Sequence, residues 1–210
     1  MDNKKLLVAT HNKGKVTEFA NMLADMKLAW LSLDDAQIVE DVAETGTSFW
    51  ENALLKAQTY AAQTRLLTLA DDSGLEVDAL GGEPGVYTAR YGGAGLDHVG
   101  RYRLLLQNLA DVPWEKRTAR FRCAIAIVGA NGELLGRSEG VCEGLIALEP
   151  AGNGGFGYDP VFYLPDFGQT MAQVGTAVKQ QISHRGRAMQ AIEGRLRELL
   201  ANNDIYHPRQ

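Results

Sequence analysis

The chain has 210 residues, of which 45% are hydrophobic and 22% are charged, and its formal net charge is −5. A chain of this length and composition buries enough surface to fold as a globular protein without metal or disulfide staples. An acidic chain is a poor candidate for a duplex DNA binder, and no apolar run approaches the roughly 18 residues that span a membrane. We therefore expect neither a nucleic-acid partner nor a membrane partner.

The N-terminal residues and the cysteines indicate a reducing compartment. The N-terminus lacks the long apolar stretch of a signal peptide. Cys123 and Cys142 fit no metal-binding spacing and no secreted disulfide framework, and both lie in apolar segments typical of buried, reduced thiols. We expect a cytoplasmic protein with a single domain over residues 1–201 and a polar tail over residues 202–210.

Strands and helices alternate in the first half of the chain. Apolar runs of strand length are followed by apolar stripes at helical spacing. In chain order they predict a strand over 5–10, a helix over 14–25, a strand over 28–33, a helix over 48–65 and a strand over 66–70. Ser48 and Glu51 form a capping box at the start of the second helix.

Strands pair locally in the second half. The predicted elements are a helix over 97–109, a hairpin of strands 119–128 and 134–148, a strand over 161–164 and a helix over 183–200. The hairpin is predicted because Asn131-Gly132 is a strong turn signal. Alternation followed by local pairing predicts an α/β protein with a mixed sheet flanked by helices.

The first polar cluster is the loop Thr10-His11-Asn12-Lys13-Gly14-Lys15, at the start of a predicted helix. Helix N-termini carry unpaired N–H groups and partial positive charge, which favour an anion. The residue spacing of this loop does not match the Walker A motif of phosphate-binding loops. The loop is therefore either a phosphate site or a solvated turn with two surface lysines.

The second cluster is Asp71-Asp72-Ser73-Gly74, directly after an apolar run. Ligands in open α/β sheets bind beyond the carboxyl ends of strands. Two adjacent carboxylates suit Mg²⁺, which prefers hard oxygen ligands. The alternative is an ordinary polar turn.

The third cluster surrounds the start of the helix over 48–65. Glu44 is either a metal ligand or only a favourable charge near that helix start. Asn52 and Lys56 lie one turn apart on the same helix face. The Lys56 ammonium either reaches solvent past its apolar neighbours or contacts a phosphate.

The last two clusters could recognise a flat ligand. The segment 152–159 combines four glycines with Phe156 and Tyr158, whose rings could stack on a nucleobase, or it is a turn with core aromatics. Ser183 precedes the last predicted helix, so His184 and Arg185 fall in its first turn. Cations there oppose the helix dipole unless an acidic ligand or acceptor lies nearby. The alternative is a surface His-Arg pair.

Together the clusters suit a nucleoside triphosphate, and their order along the chain is specific. The motifs are Thr10-x-Asn12-x-x-Lys15, Glu44-Thr45-Gly46-x-Ser48-Phe49-x-Glu51-Asn52-Ala53, Ala70-Asp71-Asp72-Ser73-Gly74-Leu75, Pro84-Gly85-Val86-Tyr87-x-Ala89-Arg90-Tyr91, Gly155-Phe156-Gly157-Tyr158-Asp159-Pro160 and Ser183-His184-Arg185-Gly186. With these motifs the chain resembles the inosine/xanthosine triphosphate pyrophosphatases over nearly its whole length.

The resemblance implies an elongated mixed α/β fold with two lobes around a central nucleotide cleft, usually in a homodimer. It implies Mg²⁺-dependent hydrolysis of ITP, dITP and XTP to the monophosphate and pyrophosphate, which removes these nucleotides before they enter DNA or RNA. The alternatives are a regulator that binds nucleotides without catalysis and a pyrophosphatase for other nucleotides, such as pyrimidines.

The resemblance also implies roles for individual residues. Asp72 is the proton acceptor for the attacking water, and Glu44 and Asp72 hold the metal. The substrate-binding residues are Thr10, Asn12, Lys13, Lys15, Lys56 and Ser73 toward the phosphates, and Phe156, Gly157, Tyr158, Asp159, Lys179, His184 and Arg185 toward the base. The chain departs from the family pattern at His11, a position often taken by glycine, and at Ala177-Val178, where acidic residues are common.

Overall fold

A computed structural model describes residues 4–26 and 28–201 of the chain. The predicted polar tail, 202–210, lies outside the described residues. The strands are β1 (Lys4–Val8), β2 (Leu28–Leu31), β3 (Thr68–Val77), β4 (Thr118–Val128), β5 (Leu134–Ile146), β6 (Phe162–Leu164) and β7 (Gln169–Thr170). The helices are α1 (Lys13–Met22), α2 (Phe49–Thr64), α3 (His98–Asn108), α4 (Thr176–Ile182) and α5 (His184–Ala201).

The strands form one mixed sheet in the order β2-β1-β3-β4-β5-β6-β7. The pairs β1–β2 and β1–β3 are parallel, whereas β5–β6 and β6–β7 are antiparallel. The predicted hairpin is present as the neighbours β4 and β5. The prediction of a mixed α/β sheet with helices is therefore confirmed.

Strand β3 is longer than predicted. The sequence pattern ended this strand at residue 70, but the strand runs to Val77 and includes Asp71-Asp72-Ser73-Gly74. The polar-turn alternative for these residues is wrong. The reason is that β3 lies between β1 and β4, so its backbone groups pair on both sides despite its polar residues.

The start of α2 confirms half of the predicted capping box. Ser48 Oγ accepts a hydrogen bond from the Glu51 backbone N–H at 3.2 Å. The Glu51 carboxylate accepts from the backbone N–H of Thr47 at 2.7 Å, one residue before the cap. Both contacts satisfy N–H groups that the helix itself leaves without partners.

The chain divides into two compact units. Among the described residues, unit 1 comprises 4–26, 28–72, 123–140 and 185–201. Its core forms where α1 and α5 pack on alternate residues of β1, β3 and β4, as the period of two along a strand requires. The core includes Leu6, Val8, Phe19, Leu69, Cys123, Ile125, Ile127, Met189, Ile192 and Leu196.

Unit 2 comprises residues 73–122 and 141–184. Its separate core includes Leu75, Val77, Leu105, Leu109, Phe121, Cys142, Ile146, Tyr158, Val161 and Phe162. Cys123 and Cys142 are both buried, as the apolar segments around them predicted. Within the described ranges, no helix is long and apolar enough to cross a membrane.

The unit 1 core predicts the effect of shortening a buried side chain. Ile192 is 2% exposed, so Ile192→Ala should lower the free energy of unfolding by about 2–5 kcal/mol through the cavity that it leaves. Urea denaturation measures the change. Gln190→Ala, at an exposed position of the same helix, is the control and should cost about 0.5 kcal/mol or less. Equal effects of the two substitutions would contradict this packing.

Candidate functional site

Strand β3 places its two adjacent carboxylates on opposite faces. Asp71 contacts Lys15 of α1 and Arg185 of α5, whereas Asp72 contacts residues of α2. Successive residues of a strand point to opposite sides, so the pair cannot share one ion. Of the two adjacent carboxylates that suit Mg²⁺ in the sequence, only Asp72 lies on the face of β3 that Glu44 shares through Lys56.

Asp71 is the centre of a buried ion network in unit 1. Its carboxylate accepts from Lys15 Nζ at 3.0 Å and from Arg185 Nη2 at 3.1 Å. A further Arg185 nitrogen, Nη1, donates to Glu18 Oε2 at 2.6 Å. Burial alone would raise the pKa of the Asp71 carboxyl, but the charges of Lys15 and Arg185 hold it well below its ordinary value of 3.8.

This network explains a cation in the first turn of α5. The sequence indicated that Arg185 needs an acidic ligand or acceptor to offset the helix dipole. Asp71 and Glu18 supply that acceptor from the chain itself. Burial opposes the charge of Arg185, but the surrounding carboxylates outweigh burial and raise the pKa of the guanidinium.

Helix α2 holds Asp72 and Glu44. Lys56 Nζ donates to Glu44 Oε1 at 2.7 Å and to Asp72 Oδ1 at 3.2 Å. Asn52, one turn earlier and fully buried, donates from Nδ2 to Asp72 Oδ2 at 3.1 Å. Its Oδ1 accepts from the Gly46 backbone N–H at 2.8 Å, which ties the loop carrying Glu44 to the same helix.

Burial and charge act in opposite senses on this group. Burial raises the pKa of the Asp72 carboxyl above its ordinary value, with Lys56 opposing and Glu44 adding to the shift. For Lys56 burial acts to lower the pKa, but Asp72 and Glu44 outweigh it and raise the value to about 12. The ammonium therefore remains charged at neutral pH.

The first polar loop caps α1. Asn12 Oδ1 accepts from the backbone N–H groups of Gly14 at 2.9 Å and Lys15 at 3.3 Å. Thr10 Oγ1 accepts from the Asn12 N–H at 3.1 Å, and the Lys13 side chain is exposed.

His11, the departure from the family pattern, contacts two acidic residues beside this loop. Its Nδ1 lies 2.5 Å from Asp34 Oδ1, and its Nε2 lies 3.6 Å from Asp41 Oδ1. These contacts link the loop to the segment after β2.

Asp159 organises the aromatic cluster in unit 2. Its Oδ2 accepts from the Phe156 backbone N–H at 2.9 Å and from Lys179 Nζ at 2.8 Å. Lys179 Nζ also lies 4.9 Å from the centroid of the Phe156 ring. Gly155 has φ +69°, and a Cβ there would lie 2.0 Å from Asp159 Oδ2, so only glycine fits this turn.

The remaining predicted base-site residues occupy different environments in unit 2. Tyr158 is buried, its hydroxyl donates to the Thr88 carbonyl at 3.1 Å, and burial raises its pKa. His184 stacks on Phe121 with ring centroids 4.7 Å apart. Ser73 is partly buried in β3, and Gly157 has φ +65°.

Glu44 and Asp72 are the candidate metal ligands. Two carboxylates that converge on one cation, Lys56, fit Mg²⁺, which commonly takes one or two protein carboxylates and completes its shell with water and phosphate oxygens. No cluster of three or more metal-ligating side chains occurs among residues 4–26 and 28–201. The donor set therefore suits a metal that the substrate helps to bind.

A model of the Ham1 family matches residues 6–194, a range that contains every predicted site residue. The chain belongs to the Ham1 family. A dITP/XTP pyrophosphatase of Geobacillus kaustophilus is 47% identical over 197 residues, which cover 94% of this chain and 96% of that relative.

Solved structures of Ham1 proteins share this fold. A HAM1 protein from Coxiella burnetii aligns with a TM-score of 0.83 at 38% identity, over 93% of this chain and 99% of that one. A nucleoside-triphosphatase/dITP/XTP pyrophosphatase from Mycobacterium abscessus aligns with a TM-score of 0.72 at 43% identity, over 90% and 98%.

Two polar residues of this Ham1 site had no role in the sequence-based interpretation. Asn52 was predicted to lie on the same helix face as Lys56. The available signal for a buried polar contact was that Asn52 lies beside apolar residues of α2, such as Phe49 and Ala53. Glu18 lies three residues after Lys15 on α1, which is the spacing of neighbours on a helix face. Both contact charged groups of the site directly.

The Asp71 network predicts a pH-dependent stability. Asp71→Asn leaves Lys15 and Arg185 with a neutral partner and should lower the free energy of unfolding by about 3–5 kcal/mol near pH 7. Because the folded pKa of Asp71 lies well below its ordinary value of 3.8, this contribution is fully present above pH 3.8 and is lost as the pH falls from there toward the folded pKa. Urea denaturation from about pH 7 to about pH 2 should show a constant difference down to about pH 4 and a shrinking difference below it. A difference that is constant over this range would contradict the ionised network.

Proposed function

We propose that this Ham1-family chain hydrolyses deaminated purine nucleoside triphosphates, namely ITP, dITP and XTP, to the monophosphate and pyrophosphate. The observation that carries the proposal is the contact of Lys56 with both Glu44 and Asp72. It brings two carboxylates, which suit Mg²⁺, together with an ammonium, which suits a phosphate. The activity named for the Geobacillus kaustophilus relative supports the same reaction. The reaction cleaves the anhydride bond between the α and β phosphoryl groups.

We assign the phosphate and metal chemistry to unit 1. Glu44 and Asp72 would hold Mg²⁺, which when bound neutralises phosphate charge and acidifies a water molecule. Lys56 and Lys15 supply the ammonium groups that screen the negative charge of the pyrophosphate leaving group. Asn12 fixes the start of α1, so that the helix N-terminus and the exposed Lys13 face an approaching anion.

Asp72 is the proposed general base. Its two oxygens are oriented by Lys56 and Asn52, so the carboxylate is positioned before the substrate arrives. A pKa raised by burial makes this carboxylate a stronger base than an exposed aspartate. Asp72 accepts the proton of the water that attacks the phosphorus.

Recognition of the base is proposed for unit 2. The face of Phe156 offers a stacking surface, and Asp159 and Lys179 offer an acceptor and a donor beside it. A 6-keto oxygen accepts from donors such as Lys179 or His184. A 6-amino group would leave such donors without an acceptor, which disfavours adenine nucleotides. Ser73, Gly157, Tyr158 and Arg185 would complete the surroundings of the substrate.

We further propose that the protein acts as a homodimer in the cytoplasm. The family resemblance supports the dimer, and the buried free thiols fit a reducing compartment. Light scattering of the purified protein gives its mass in solution directly.

The assignment of the base predicts the effect of Asp72→Asn. The variant should lower the turnover of ITP by at least about a hundredfold, because it removes the proton acceptor and one proposed metal ligand. Steady-state assays with Mg²⁺ and a panel of ITP, XTP, GTP, ATP and dUTP measure it, with chromatography of the products. Asp78→Asn, at a more exposed carboxylate after β3, is the control and should retain wild-type activity.

Three results would count against the proposal. Turnover by Asp72→Asn at the wild-type rate would refute the role of Asp72. Release of orthophosphate would refute the bond cleaved, and preferential hydrolysis of dUTP would favour a pyrimidine enzyme. Binding without hydrolysis of any nucleotide would favour a regulator.

The base site predicts a separate effect for Asp159→Asn. The variant removes the charge that anchors Lys179, so KM for ITP should rise roughly tenfold or more while kcat changes less. Kinetics with ITP and GTP measure this split. Asp166→Asn, at an exposed carboxylate between β6 and β7, is the control. A loss confined to kcat would contradict a role in binding the base.

A further inference from the structure

Lys56 lies where a cation bound by Glu44 and Asp72 would lie. Its ammonium is 2.7 Å from Glu44 Oε1 and 3.2 Å from Asp72 Oδ1. The side chains of Lys56 and Glu44 are partly buried and Asp72 is buried, with exposed side-chain fractions of 12%, 22% and 10%. Both carboxylates are therefore engaged by a protein cation, and Glu44 is the most exposed member of the group.

Lys15 and Arg185 are held differently, because they pair with Asp71, whose side chain is 1% exposed and lies on the opposite face of β3. An incoming ion reaches that carboxylate less easily than Glu44, whose side chain is 22% exposed. Among these three cations, Lys56 is therefore the one that a metal ion would replace.

We propose that Lys56 acts as an internal counterion for Glu44 and Asp72, and that its ammonium must leave them before a divalent metal can bind there. The ammonium is thereby made available to a phosphate only in the metal-loaded protein. This inference rests on the proposed function, since it takes Glu44 and Asp72 as the metal ligands.

Charge and geometry both support the exchange. Two carboxylates and one ammonium sum to −1, so a divalent ion in place of the ammonium makes the group neutral. An ammonium and a metal ion on the same oxygens would repel each other strongly at this separation. A lysine side chain carries an ammonium at neutral pH, so Lys56 must move, and its flexible four-carbon stem permits this. The hydrogen bond from Asn52 Nδ2 to Asp72 Oδ2 holds the Asp72 carboxylate in place while Lys56 moves.

Metal binding without nucleotide tests the exchange. Electron paramagnetic resonance of free Mn²⁺ gives the dissociation constant for the wild type, Lys56→Met and Lys56→Arg. Lys56→Met should bind Mn²⁺ roughly tenfold or more tightly than the wild type, because the competing charge is gone. Lys56→Arg keeps the charge and should bind as weakly as the wild type. Lys5→Met, which removes an exposed lysine at the start of β1, is the control and should leave the constant unchanged.

Equal or weaker Mn²⁺ binding by Lys56→Met would overturn the proposal, as would equal tightening by Lys5→Met. Circular dichroism verifies that the variants are folded. If Lys56→Met does not fold, the wild type with ¹³C-methylated lysines decides the question: the Lys56 signal should shift on addition of Mg²⁺, and an unchanged signal would overturn the exchange. Failure of the proposed function is seen separately, as absence of hydrolysis by the wild type.

Discussion

Burial of the Asp71 carboxylate is the constraint on which unit 1 depends. An ionised group removed from water is costly unless it is paired and hydrogen-bonded. Lys15 and Arg185 provide the pairing, and they come from the first turns of α1 and α5. The requirement to neutralise one strand residue thus ties the first turns of two helices to β3. The same helices cover the core formed by β1, β3 and β4.

Because successive side chains of β3 lie on opposite faces, Asp71 contributes to stability on one face and Asp72 to the proposed chemistry on the other. The Asp71 side chain is directed toward α1 and α5 and pairs with two cations, and it is 1% exposed. The Asp72 side chain is directed toward α2 and is 10% exposed. A shift of one residue along the strand would exchange the two environments. Because β3 is paired on both sides, the sheet fixes the backbone position of Asp72, the proposed general base, in addition to the contacts of its side chain.

Periodicity predicted most of the fold, and local motifs predicted the polar clusters. The helices α1, α2, α3 and α5 were predicted because their apolar residues repeat at regular spacing, and the hairpin was predicted from the turn signal Asn131-Gly132. The polar run at Asp71 looked like a turn because Asp, Ser and Gly favour turns, but pairing with neighbouring strands overrides that preference. The contacts of Asn52 to Asp72 and of Glu18 to Arg185 span 20 and 167 residues, a separation that no local pattern encodes.

The charge balance of unit 1 gives an independent reason for a metal. Around β3, the cations Lys15, Lys56 and Arg185 pair with the carboxylates Glu18, Glu44, Asp71 and Asp72. The charges of these three cations are therefore offset by the chain's own carboxylates before a triphosphate arrives. A divalent ion at Glu44 and Asp72 would add positive charge and release Lys56, and both changes favour the phosphates.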